Sequence, residues 1–193
     1  MKRSTDRILT THVGSLIRPE KLREFVRAKQ GGKDYDQDAY RACLADSVKD
    51  VVARQDEAGV DVVSDGEYGK GISWSQYVLD RLSGFERRPI AGGGNPFAKG
   101  ADRKRFADFY AELDAKDAPA TQSESVCVGP IEYTGIDELQ RDIANFRAAL
   151  SGANVEEAFM PVAAPASVIP DRRDEYYKSD EEGLQAIADA MRV

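Results

Sequence analysis

Apolar and polar positions along this chain fall into two rhythms, one of short runs and one of helical spacing. Residues 8–13 form a short β-branched and apolar run that ends at Gly14, and they predict a first strand. Arg18-Pro19 then opens a helix, because proline suits the first helical position; Leu22, Phe25 and Val26 give it an apolar side, and Gly31-Gly32 end it. Over residues 36–58, Tyr40, Leu44, Val48, Val51 and Val52 recur at helical spacing with charges between them. Gly59 stops that helix, and residues 60–64 predict a second strand directly after it. The pattern weakens beyond Glu67: residues 74–82 suit a helix, residues 92–96 a loop, and residues 105–113 alternate aromatic with polar positions like a hairpin arm. Residues 125–130 predict a third strand. Thr134 is expected to cap the next helix, with Asp137 in the capping-box position and Leu139, Ile143, Phe146 and Leu150 on its apolar face. Residues 155–162 predict a fourth strand. Ser179 and Glu182 form a second capping box ahead of Leu184, Ile187 and Met191, in a helix expected to run to Val193.

The predicted order is β, α, β, a connection over about residues 68–122, then β, α, β, α. Such alternation implies an α/β fold with a parallel sheet and right-handed crossovers. Four strands with flanking helices suit either a small open sheet or about four βα units of TIM-barrel type, half of a (β/α)8 barrel. At 193 residues the expectation is a single domain over residues 1–193, with the extended insertion decorating it.

Composition narrows the functional classes. The formal net charge of −7 argues against a nucleic-acid backbone as partner. No apolar run approaches the ~18–20 residues that span a bilayer, and the N-terminus has no apolar stretch of signal-peptide type. Cys43 and Cys127 stand far apart with no CxxC spacing, so neither a disulfide scaffold nor a zinc ribbon is expected, and a reducing cytoplasm is the natural setting.

The candidate chemistry lies just past the first two predicted strands, where parallel α/β folds bind ligands. His12, the sole histidine, suits either an acid–base or ligand-orienting role or a plain hydrogen bond at a strand end. Glu67 follows a glycine after a β run; it could hold an ammonium group or act as a base, or simply favour a helix start. Asp65 could bind a ligand or serve the turn, and Ser15 could hydrogen-bond a ligand carboxylate or cap the turn before Pro19. Cys127 reads as a core residue before a nucleophile or metal ligand, and a zinc site built from His12, Glu67 and Cys127 lacks ligand spacing. Gly92-Gly93-Gly94 lacks the ending of a phosphate loop, and Gly66-x-x-Gly69-x-Gly71 is not a dinucleotide fingerprint. Arg87-Arg88 and Arg103-Lys104-Arg105 read as solvated charge.

These motifs also carry a resemblance. Residues 9–19, with Thr11-His12-Val13-Gly14-Ser15-Leu16 at their centre, resemble the opening of the cobalamin-independent methionine synthase (methionine synthase II) catalytic barrel. Residues 58–67, ending in Asp65-Gly66-Glu67, resemble its second strand and Gly-Glu turn, and residues 127–135 resemble its third strand. The resemblance implies a (β/α)8 barrel and transfer of a methyl or alkyl group, commonly from a folate donor, to a zinc-bound thiolate such as homocysteine. Gly14, Ser15 and Glu67 are implied to contact the amino-acid thiol, with His12 and Asp65 alongside in the same motifs. The family's zinc ligands would lie beyond Val193, so none is expected in this chain and zinc belongs to the full-length family. Other thiols such as coenzyme M, or a non-catalytic half-barrel acting as a binding or assembly module, remain open. Half a barrel would expose sheet edges, so a homo-oligomer or association through those edges is expected.

Overall fold

A computed structural model describes residues 2–71, 73–89, 100–116, 123–168 and 173–192. The chain separates into two compact units, one of Met1–Asp80 with Gly135–Ala163 and the other of Arg81–Thr134 with Ala164–Val193. No helix among the described residues is long and apolar enough to cross a membrane.

The first unit is built on two packed helices, α2 (Gln37–Glu57) and α6 (Ile136–Leu150). Asp36 starts α2 by accepting the backbone N–H groups of Asp38 and Ala39, which would otherwise be orphaned at the helix start. Leu44, Val48, Val51 and Val52 of α2 enter one core with Phe146 and Ala149 of α6, Leu22 of α1 (Glu20–Gln30), and Val63 of β1 (Val62–Ser64). β1 pairs in parallel with β4 (Glu157–Phe159), Val62 opposite Glu157 and Ser64 opposite Phe159. Val63 and Ala158 therefore share the face that meets the helices.

The predicted first strand is absent as a strand. Residues 8–13 make one parallel bridge, Thr11 with Val62. The reason is local competition for the backbone. The Thr10 carbonyl accepts both Asp61 N–H and Val62 N–H, so no regular ladder can propagate. The Asp61 carboxylate meanwhile takes the Thr10 N–H, the Thr10 hydroxyl and Arg7. These donors, Arg7 foremost, hold Asp61 well below the usual aspartate range. Ile8 and Val13 stay exposed along this segment.

The second unit pairs β2 (Phe85–Pro89) with β3 (Ser123–Cys127) as antiparallel partners, Phe85 opposite Cys127. The expectation of a four-stranded parallel sheet is met only in part: among the described residues the parallel pairing is β1 with β4 and two isolated bridges, and β3 pairs with β2 in an antiparallel ribbon. Gly84, at φ +82°, makes the ribbon's close approach possible, since a Cβ there would lie 2.6 Å from the Gly129 carbonyl oxygen. Residues 105–113 are not a hairpin arm. They lie across α4 (Ala101–Arg105) and α5 (Ala107–Lys116), and Phe106, Phe109, Tyr110 and Leu113 follow helical spacing. Residues 74–82 form the shorter α3 (Trp74–Leu79), in the first unit, while the expected loop at 92–96 lies outside the described residues.

Two caps complete the comparison. Gly135, with no side-chain cap, precedes α6 in place of the expected Thr134 capping box; the Thr134 hydroxyl instead donates to the Arg81 carbonyl. The second box forms in half: the Ser179 hydroxyl accepts the Glu182 N–H, while the Glu182 carboxylate accepts the N–H of Lys178, one residue before the cap. It opens α8 (Asp180–Ala190), which stops short of Val193; α7 (Pro165–Val168) completes this unit.

Candidate functional site

The site grows from the way β1 ends. Gln55 of α2 turns its buried amide onto Ser64, giving a hydrogen bond to the Ser64 carbonyl and accepting the Ser64 N–H. With both backbone groups of Ser64 taken, the chain is free to turn. Asp65 accepts the Glu67 N–H through its carboxylate, an Asx-type turn, and Gly66 and Glu67 both adopt left-handed backbone, at φ +67° and +59°. Glu67 is the only non-glycine among the described residues with positive φ. A glutamate held there costs about 1–2 kcal/mol relative to ordinary backbone, so its placement is maintained by the surrounding contacts.

Those contacts come from the segment after residues 8–13. Ser15, exposed, donates its hydroxyl to Glu67 Oε2 at 2.9 Å. Leu16 N–H donates to the Gly66 carbonyl, and the Tyr68 hydroxyl donates to the Ile17 carbonyl. Arg18, half-buried, spreads its guanidinium over three backbone carbonyls, those of Glu67, Tyr68 and Lys70. Burial pulls the Arg18 pKa below its ordinary value, with the Glu67, Tyr68, Tyr40 and Asp65 charges acting the other way. Gly14 lies beside this seam at φ +110°, with open space where a side chain would stand.

Glu67 is 9% exposed as a residue, and its Oε2 meets the exposed Ser15. Its second oxygen, Oε1, lies 3.5 Å from the Lys70 ammonium. Asp65 is also buried. Desolvation pushes its carboxyl above the ordinary aspartate value, the Asp142 and Glu67 charges push the same way, and the Glu67 N–H and Lys70 oppose. The native state therefore keeps the Asp65 proton to higher pH than the unfolded chain does. The stability linked to Asp65 is fullest below the unfolded pKa and declines as pH rises toward the folded one. Asp65→Asn keeps an oxygen for the Glu67 N–H, and is expected to remove this decline and stabilise the chain at pH 7. Urea melts at pH 4 and pH 7 check it, and a variant less stable than the parent at pH 7 would refute the assignment.

Of the predicted site residues, Ser15, Asp65 and Glu67 are brought together, and Gly14 lies next to them. His12 is half-buried, and its Nε2 is enclosed without a hydrogen-bond partner. His12 lies close to Gly14 and Ser15 in sequence, and no hydrogen bond of its Nε2 joins it to Glu67. Cys127 belongs to the second unit. Its thiol is fully buried, and burial above all pushes it up to about 11, which makes it an inert core group. Arg18, Lys70, Tyr77 and Asp142 were missed as site residues. Arg18 stands in the sequence as a helix opener, Lys70 and Tyr77 lie where the periodic signal fades, and Asp142 reads as a polar position of an amphipathic helix.

Zinc is the metal that the sequence resemblance implies. Among the described residues no group of three or more His, Cys, Asp or Glu could hold a metal, and the Cys127 thiol resists ionisation. The described residues do not fit that ion.

Comparison with known proteins bears out the likeness read from the motifs. Residues 8–87 match the sequence profile of the family described as cobalamin-independent synthase, catalytic domain. A methionine synthase of Sulfolobus acidocaldarius is 40% identical over 77 residues, which is 40% of this chain and 22% of that protein. One from Sulfurisphaera tokodaii is 39% identical over 77 residues, again 40% of this chain and 22% of the relative. The matched stretch thus spans about a fifth of these relatives. Among solved structures, a B12-independent methionine synthase from a Shewanella species, in complex with selenomethionine, superposes with a TM-score of 0.59 at 17% identity, covering 94% of this chain and 45% of that one. A putative vitamin-B12 independent methionine synthase from Listeria monocytogenes gives 0.58 at 20% identity, covering 95% and 47%. This chain has an α/β fold resembling those enzymes, and it spans a little under half of their length.

Proposed function

We propose, from the premise that residues 8–87 are similar to a cobalamin-independent synthase catalytic domain, that this chain carries the thiol-substrate end of a methyltransferase. The substrate class is an amino-acid thiol such as homocysteine, and the methyl donor a folate. The observation that carries this reading is the convergence of two separate turns on one carboxylate, with Ser15 and Glu67 in direct contact across 52 positions of sequence. Residues 1–193 are read, within the same proposal, as about half of a (β/α)8 barrel, in keeping with the share of the solved relatives that the chain covers.

The residues divide the work by charge. Glu67 presents a carboxylate oxygen toward the exposed Ser15 side, where a substrate ammonium can take a charge-assisted hydrogen bond. The Ser15 hydroxyl stands beside it as a second polar contact, and the open space at Gly14 lets a ligand approach the backbone. Asp65 holds the turn that aims Glu67. His12, its Nε2 enclosed and unpartnered, is read within the same proposal as the acid–base or ligand-orienting residue beside this turn. Ile8, Val13, Ile17 and Val162 are exposed, as association through sheet edges requires.

Charge also chooses between thiols. Asp65, Glu67 and Asp142 act on one another electrostatically, and the Arg18 guanidinium is spent on backbone carbonyls. An anion-rich site of this kind favours an ammonium-bearing thiol over the sulfonate of coenzyme M. Calorimetric titration of this chain with L-homocysteine and with 2-mercaptoethanesulfonate tests it. Homocysteine is expected to bind at least about tenfold more tightly. Equal binding, or preference for the sulfonate, would overturn the reading.

A further inference from the structure

Lys70 is 5% exposed, an unusual place for an ammonium group, and the chain gives it a dedicated surround. Its Nζ donates to the Pro161 carbonyl at 2.7 Å, just beyond β4, and faces Glu67 Oε1 at 3.5 Å. It also lies 5.7 Å from the centre of the Tyr77 ring, on α3. The Tyr77 hydroxyl donates to Asp142 Oδ2 at 2.7 Å, on α6, and the Asp142 carboxylate lies close against Gly69, so that a Cβ at Gly69 would stand 3.4 Å from Oδ1. The exit of β4 and α3 thus meet at a single ammonium whose partner in the candidate site is Glu67, and α6 holds the Tyr77 side of that surround through Asp142.

We infer that Lys70 is a positioning residue for Glu67. Glu67 has two oxygens; the exposed Ser15 holds one and the buried Lys70 faces the other. Pro161 fixes where the ammonium stands, so it fixes where the carboxylate points. Lys70 also supplies the positive charge that lets Glu67, Asp65 and Asp142 share one region. Without it, the Glu67 carboxylate would face two like charges in a buried setting, and would turn away from them. Lys70 is buried against Glu67, and so acts through it rather than by touching a ligand.

This inference deepens the proposed function and rests on it for its ligand, but the pairing itself can be tested without one. Four proteins are compared: the parent, Lys70→Met, Glu67→Gln and the double variant. In urea melts, Lys70→Met is expected to lower the folding equilibrium constant at least about tenfold more in the parent than in the Glu67→Gln background, because the pair is coupled. An equal loss in both backgrounds would overturn the inference, whether or not homocysteine binds. Where L-homocysteine binds the parent, Lys70→Met is expected to weaken it at least about tenfold, and Lys70→Arg, which keeps the charge, to stay within about threefold. Lys70→Met should weaken binding no further once Glu67 is glutamine. Undiminished binding in Lys70→Met, failure of Lys70→Arg to restore it, or an equal further loss in the Glu67→Gln background would each overturn it. A parent that binds no homocysteine, with the stability coupling intact, would sink the functional reading and leave Lys70 as the residue that sets Glu67.

Discussion

Replacing Arg18 with methionine is expected to destabilise the first unit by about 3 kcal/mol, through loss of charge-assisted bonds to three carbonyls. Met keeps most of the stem's apolar packing, so the loss reports the guanidinium itself. The carbonyls of Glu67, Tyr68 and Lys70 belong to one tight turn with left-handed residues, and other donors cannot reach them all without rearranging it. Burial of the guanidinium works against this gain, as its lowered pKa shows, which is why the expected figure is below the sum of three such bonds. Urea denaturation of the variant measures it. A loss under about 1 kcal/mol would mean that the turn holds its shape without Arg18.

Glu67→Gln is expected to reduce L-homocysteine affinity about 100-fold, which corresponds to close to 3 kcal/mol. The substitution preserves shape and still offers an oxygen to Ser15, but removes the charge that attracts an ammonium group. It also leaves the Lys70 ammonium facing a neutral amide, so any loss of fold stability should be measured in parallel. A mercaptobutanoate, which is homocysteine without its amino group, should bind both proteins alike. If it distinguishes the two as strongly as homocysteine does, Glu67 is not the ammonium partner.

Much of this arrangement was legible in the chain itself, for reasons that differ by element. α2 carries its core positions at helical spacing and begins at an aspartate that caps it, so packing and local chemistry agree. The Asp65-Gly66-Glu67 turn was readable because glycine marks left-handed backbone, and the structure uses it that way. The first strand was not, because its backbone partners depend on Thr10 and Asp61 meeting across 51 residues. The third strand's antiparallel partner, β2, was hidden within a stretch read as a connection; Arg87 and Arg88, taken as solvated charge, lie within it. Phe106, Phe109 and Leu113 support two periods at once, and only helix formation settles which applies. At the site, Ser15 and Glu67 were visible as strand-end polar groups, whereas Lys70, Tyr77 and Asp142 acquire meaning only through contacts that no local pattern encodes.

The account depends on the turns at residues 14–18 and 65–70 lining one ligand pocket. Amide chemical shifts of the isotopically labelled chain, followed during titration with L-homocysteine, test that directly. Saturable changes confined to these two turns and the neighbouring Lys70 surround are what the account predicts. Absence of saturable change, or changes centred on residues 100–116, would contradict it.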